Sequence, residues 1–157
     1  MLIRNYQSDD LTAVAELFTA SVHTLATGYY DARQREVWAP RPPDPGLWQS
    51  RLAAIHTLVA DDEGPLAGFI GYRDDGYIDL MFVSPDYAGH GVATRLYRQA
   101  ESELMAAGID KLTTDASEVA RPFFERQGFE VIERQQIERQ GVVFGRYAMA
   151  KICHSSI

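Results

Sequence analysis

The chain has 157 residues, 46% hydrophobic and 24% charged, which suits one domain over the whole length with a core that needs no disulfide or metal staples. Its formal charge of −7 disfavours tight binding to a phosphate backbone, which relies on clustered Lys and Arg releasing counterions, so nucleic acid is not an expected partner. No apolar run has the length to span a bilayer, and Met1 to Asp10 lack the basic start, apolar stretch and cleavage site of a secretory signal; the expected setting is cytoplasmic, away from membranes.

Leu2 to Tyr6 reads as a strand, and Ser8-Asp9-Asp10 offers side-chain oxygens to cap a following helix, on which Leu11, Val14, Ala15, Phe18 and Val22 fall at helical spacing. Thr27 to Gly46 breaks that period and carries Pro40, Pro42, Pro43 and Pro45, so much of it is expected to be a shaped loop. A short helix over Leu47 to Ala54 precedes three antiparallel strands: Thr57 to Asp61, Leu66 to Tyr72 and Tyr77 to Val83. They are joined by the turns Asp62-Glu63-Gly64-Pro65 and Asp74-Asp75-Gly76. Strict alternation would put Tyr77, Asp79 and Met81 on one face of the third strand.

Val92, Leu96, Tyr97, Ala100 and Leu104 mark one face of a helix that ends near Gly108. Lys111 to Asp115 then returns as a strand that can pair in parallel with Tyr77 to Val83 through a right-handed crossover. A helix over Val119 to Gln127 stops at Gly128, and the strands Val131 to Ile137 and Val142 to Met149 turn around Arg139-Gln140-Gly141. The sum is an α/β (α+β) mixed sheet of about seven strands and four helices, an antiparallel meander meeting a central parallel pair.

The informative segment is Val83-Ser84-Pro85-Asp86-Tyr87-Ala88-Gly89-His90-Gly91-Val92-Ala93-Thr94, a strand, a glycine-containing turn and a helix start. Amides at a helix start lack intrahelical partners and point along the axis, and small residues let a pyrophosphate approach the backbone. No Lys-Ser or Lys-Thr follows the glycines, and the longer Rossmann spacing is absent. In this register Ala88-Gly89-His90-Gly91-Val92-Ala93 resembles the pyrophosphate loop Gln/Arg-x-x-Gly-x-Gly/Ala of the GNAT acetyltransferase superfamily, with Ala88 departing from the first position. A second stretch is similar to that superfamily's late helix, Asn-x-x-Ala-x-x-x-Tyr-x-x-x-Gly-Phe: Ser117, Ala120, Phe124, Gly128 and Phe129 stand at the corresponding places.

The resemblance implies an N-acetyltransferase that uses acetyl-CoA as acyl donor. Residues 88–94 would hold the pyrophosphate. Met81, Phe82 and Val83 would open away from Lys111 to Asp115 to admit the pantetheine, with Ser117 and Phe124 beside it. Asp79, where relatives often carry a carboxylate, becomes the candidate base or amine-orienting group. Phe124 stands where many relatives have a Tyr credited with protonating the departing thiolate, which Phe cannot do. Three outcomes stay open in that scheme: Ser117 or Tyr147 donates instead, the thiolate leaves without an acid, or the domain is a catalytically silent acyl-CoA sensor.

His23, Tyr29, Tyr30 and Trp38, in or near the irregular early segment, and Tyr77 are candidates for the acceptor pocket. His90 is expected to contribute only its backbone amide. His154 beside Cys153 lacks further ligands, so no metal is expected, and the lone cysteine agrees with a reducing compartment. Glu133, Arg134, Glu138 and Arg139 read as a solvated face. The acceptor expected is a small-molecule amine, with a protein amine or aminoacyl-tRNA as alternatives, and relatives that dimerise through their late strands make a homodimer an option.

Overall fold

The computed structural model describes residues 1–154. Strand β1 (Leu2–Asn5) leads through a short 3-10 turn into helix α1 (Leu11–Leu25), followed by α2 (Ala32–Trp38) and α3 (Pro45–Ala53). The meander β2 (His56–Asp61), β3 (Leu66–Tyr72) and β4 (Tyr77–Val83) comes next, then α4 (Val92–Ala106), β5 (Lys111–Ser117), α5 (Arg121–Arg126), β6 (Glu130–Arg139) and β7 (Val142–Ile152). The strands form one sheet in the order β1-β2-β3-β4-β5-β7-β6, in which only β4 and β5 pair in parallel.

Five α-helices stand where about four were expected, because part of the Thr27 to Gly46 segment is α2 rather than loop. Its start is a capping box: the Asp31 carboxylate accepts from the Gln34 amide at 2.8 Å, and the Gln34 side chain accepts from the Asp31 amide at 2.8 Å. Helix α3 begins at Pro45, not Leu47, because Asp44 caps it and proline suits the first helical position. Helix α5 is shorter than Val119 to Gln127, starting beside Pro122.

The central strands β2 and β3 are buried almost end to end because helices cover both sheet faces. Leu58, Ala60 and Ile70 pack with α4 and α5, whereas Val59 and Phe69 pack with α1 and α3. Helix α4 buries Val92, Leu96, Tyr97, Ala100 and Leu104, each contributing about 1.5–3 kcal/mol for the larger side chains. It can press so close to β3 because Gly68 has no Cβ. One placed there would meet the Phe82 carbonyl oxygen at 2.9 Å and Val92 and Leu96 at 3.0 and 3.1 Å. No helix among the described residues is long and apolar enough to cross a membrane.

Strand β4 does not keep the expected alternation. Gly71 pairs with Leu80 and Tyr72 with Ile78, leaving Asp79 as the extra residue of a β-bulge. Ile78 therefore packs on the α4 side while Leu80 and Phe82 pack on the α1 side. A bulge bends its strand, and this one comes directly after the last β4–β5 pair, Ile78 with Thr114.

Candidate functional site

Past that pair the two central strands separate. Strand β4 stays bonded to β3 as far as Val83, and β5 stays bonded to β7 as far as Ser117, so their inner edges face each other across a wedge without a shared ladder. Thr114 marks its apex, its hydroxyl donating to the Ile78 carbonyl at 2.9 Å. A cleft of about 190 Å³ occupies the wedge and continues toward α2 and α3. Tyr77, Asp79, Met81 and Phe82 line it from β4, Asp115 and Ser117 from β5, Phe124 from α5, and Tyr30 and Trp38 from the early segment.

Beyond the end of β4, Gly89 and Gly91 adopt the left-handed conformation, with φ of 79° and 76°, and nothing lies within 4 Å of where their Cβ atoms would stand. Gly91 precedes α4, and no side chain caps the helix. The amides of Gly89, Gly91, Val92, Ala93 and Thr94 have no acceptor among the described residues. Unpaired amides around a 15-residue helix start make an anion cradle. His90 does not offer its amide as expected, since that group donates to the Tyr87 carbonyl at 3.3 Å, and the Ala88 amide donates to Pro85 at 3.4 Å.

Asp79 is largely covered, its side chain 18% exposed, and its nearest cation is Arg51 at 3.9 Å. Ser117 accepts from the Ala120 amide at 3.1 Å, which leaves its own hydroxyl proton free to donate into the cleft. Phe124 is buried against Phe123 and Phe129 with one side toward the cleft. The Tyr77 hydroxyl donates to Asp115 at 2.9 Å, and burial, reinforced by that bond, pushes its pKa up to about 12. Tyr30 is buried. Its hydroxyl donates to the Gly145 carbonyl at 3.0 Å and accepts from the Glu118 amide at 2.9 Å, tying the early segment to both β7 and the end of β5.

Other expected site residues stand elsewhere. The Tyr147 hydroxyl faces the Glu118 carboxylate at 3.3 and 3.4 Å, its ring lies under Arg121, and it is not part of the cleft lining. His23 bonds the Ala39 carbonyl at 2.8 Å and links α1 to the end of α2, a structural place. Tyr29 points outward, 54% exposed. Three arginines not expected at the site line the cleft: Arg51, Arg139 and Arg146. Arg139 is exposed, as expected of a solvated face, and also borders the cleft. Its signal was hidden because a hairpin end and a helix end far apart in sequence are brought together only by the fold. Among the described residues there is no cluster of His, Cys, Asp and Glu able to hold a metal ion.

The acetyltransferase (GNAT) domain model matches residues 28–151. The chain is 37% identical over 150 residues to the N-acetyltransferase YafP of Escherichia coli (strain K12), covering 94% of this chain and 93% of that one. The crystal structure of a GCN5-related N-acetyltransferase from Rhodopseudomonas palustris superposes with a TM-score of 0.91 at 32% identity, over 96% and 94% of the two chains. The PaiA N-acetyltransferase from Thermoplasma acidophilum, in complex with coenzyme A, shares the fold with a TM-score of 0.74 at 21% identity, over 96% and 98%.

Proposed function

The chain belongs to the GNAT acetyltransferase family, and we propose that it transfers the acetyl group of acetyl-CoA to a primary amine of a small molecule by direct attack in a ternary complex. The observation that carries this reading is the bulge-splayed wedge between β4 and β5 lying next to the unpaired amides of Gly89 and residues 91–94. Coenzyme A bound to the PaiA structure supports the same donor.

Acetyl-CoA supplies an acetyl group activated as a thioester. The chain's residues act around it. Backbone amides at the start of α4 hold the pyrophosphate. The wedge then receives the pantetheine between backbone edges left unpaired by the bulge, with Met81, Phe82, Val83 and Phe124 providing apolar contact. The amine enters from the opposite side, past Tyr30, Trp38 and Tyr77, and Asp79 takes its proton directly or through water as the C–N bond forms. The C–S bond breaks, and the sulfur leaves as thiolate, which a thiol pKa of about 8.5 makes tolerable without an acid. In this reading Ser117, on the cleft wall, donates a hydrogen bond to it, a role Phe124 cannot fill and for which Tyr147, facing Glu118, is not used. A cytoplasmic setting belongs to the same reading. So does a homodimer through the open edge β6, where Val131 and Ile132 are 41% and 68% exposed.

A thiol-release assay over a panel of primary amines tests the proposal, with Asp79→Asn alongside. Wild type should release thiol with one amine class. Asp79→Asn should lower kcat by about 100-fold while leaving acetyl-CoA affinity in place. Unaltered turnover in that variant removes Asp79 from the reaction, and acetyl-CoA binding with no release on any amine makes the domain a silent acyl-CoA sensor.

A further inference from the structure

The cleft carries more positive charge than a simple amine would call for. Arg51, Arg139 and Arg146 line it against Asp79 and Asp115, in a chain whose acidic residues outnumber its basic ones 22 to 15. Each guanidinium offers five N–H donors, and few are spent. Arg146 donates to Gln135 at 2.9 Å. Arg51 stacks over Trp48 with its carbon 5.3 Å from the ring centre, and its closest carboxylate, Asp79, is beyond hydrogen-bond distance at 3.9 Å. The Arg139 guanidinium makes no hydrogen bond or ion pair among the described residues. The Asp115 carboxylate accepts from the Tyr77 hydroxyl at 2.9 Å and lies in no ion pair with any of the three arginines among the described residues.

Arg51 and Arg139 also stand close enough to feel each other. The Arg51 pKa is lowered by desolvation, an effect that Asp79 opposes and to which the positive charge of Arg139 adds a smaller lowering. Asp79 at 3.9 Å offsets part of the charge on Arg51, Arg139 has no carboxylate partner among the described residues, and a bound anion would serve both guanidiniums at once. An ordinary solvated arginine swings away from such a neighbour. Arg51 is held in place by its stacking on Trp48, itself buried in the α1–α3 core.

Arg51 does not serve the phosphates of CoA. Arg51 approaches β4 at Asp79, whereas the amides of α4 lie past Val83, about 13 Å further along the strand at roughly 3.3 Å per residue. The position instead belongs to the amine side of the cleft.

Resting on the transferase reading, the geometry points to an acceptor that carries an anionic group, a carboxylate or a phosphate, besides its amine: Arg51 and Arg139 hold the anion while Asp79 faces the amine. Planar guanidiniums grip such groups through paired charge-assisted hydrogen bonds, so the anion also fixes the orientation of the nitrogen. The substrate class is then a small amino acid-like or amino phosphate-like zwitterion rather than a plain alkylamine.

The test uses the full chain saturated with CoA, so that the α4 site is already occupied, and titrates it with inorganic phosphate and, separately, acetate. The Nε–H signals of Arg51 and Arg139 are followed by NMR. Both should shift saturably with at least one probe, the effective probe separating phosphate from carboxylate, and the Arg51 shift should stop saturating in Arg139→Gln. In parallel, thiol release is compared within matched pairs, a carboxylate-bearing amine against its primary amide and an amino sugar phosphate against the free sugar. The anionic member should have a KM about tenfold lower, and the gap should close in Arg139→Gln. Unmoved arginine signals, or turnover that does not distinguish the members of a pair, overturn the anion site while leaving the transferase standing. Saturable shifts without turnover of any amine have the opposite meaning: the anion site holds and the transferase reading fails.

Discussion

Replacing Tyr30 by Phe removes one oxygen and with it two hydrogen bonds, to the Gly145 carbonyl at 3.0 Å and from the Glu118 amide at 2.9 Å. Residue 30 is 5% exposed, so water cannot easily take the place of the hydroxyl. The ring itself is kept, along with its contacts to Trp38 and Phe144 at 5.4 and 5.8 Å, so no cavity opens. The cost is therefore almost wholly that of an orphaned amide plus a weakened carbonyl, about 2–3 kcal/mol. For a domain of this length each kcal/mol lowers Tm by about 2–4 °C, which gives a fall of about 4–12 °C by calorimetry. Because the lost bonds tie together three walls of the cleft, KM for the amine should rise more than the Kd for acetyl-CoA. A Tm within about 1 °C of wild type would refute the reasoning, since it would mean that the hydroxyl is replaced by solvent or was never buried.

Two further outcomes follow from packing and titration. Gly68→Ala places a methyl 2.9 Å from the Phe82 carbonyl oxygen and against Val92 and Leu96, which should cost about 1–3 kcal/mol in urea denaturation and shift α4 relative to β4; unchanged stability would contradict the close approach. On the alkaline side, Tyr77 is raised to about 12 by burial and its bond to Asp115, and Tyr30, Tyr72 and Tyr97 are raised too, each by burial first. The folded state then holds protons that the unfolded state releases near pH 10, so stability is complete below about pH 10 and falls as pH rises through about 12. Denaturation midpoints measured with tyrosinate absorbance should show both the loss and the delayed ionisation; all tyrosines of the folded protein ionising together near pH 10, with no loss, would contradict it.

Much of the architecture was legible in the sequence because its signals are local. The three strands and two turns of the meander, the α4 stripe and the Gly89–Gly91 turn each depend on near neighbours, and the structure holds them at the expected places. Helix α2 was also announced locally, by Asp31 and Gln34 in capping-box spacing, but the surrounding prolines drew attention away from it. The bulge at Asp79 could not be read, because it depends on how β4 registers against β3 and no residue type in Ile78-Asp79-Leu80 requires it. Nor could the arginine mouth: Arg51 ends α3, Arg139 ends β6 and Arg146 lies on β7, and only the sheet order places them around one cleft. His23 and Tyr147 show the converse, residue types suited to catalysis that the fold spends on Ala39 and Glu118.

The proposed transfer requires acetyl-CoA to be held by the amides that begin α4, and calorimetric titration of acetyl-CoA into wild type and Ala93→Glu tests that directly. A carboxylate in the first turn is favourable to the helix itself, so the variant should fold with an equal or higher Tm, yet it sets a negative charge against the pyrophosphate. Saturable binding by wild type, weakened about tenfold or more in the folded variant, is the predicted result. Wild type without measurable binding, or a folded Ala93→Glu protein that binds as tightly as wild type, would contradict it.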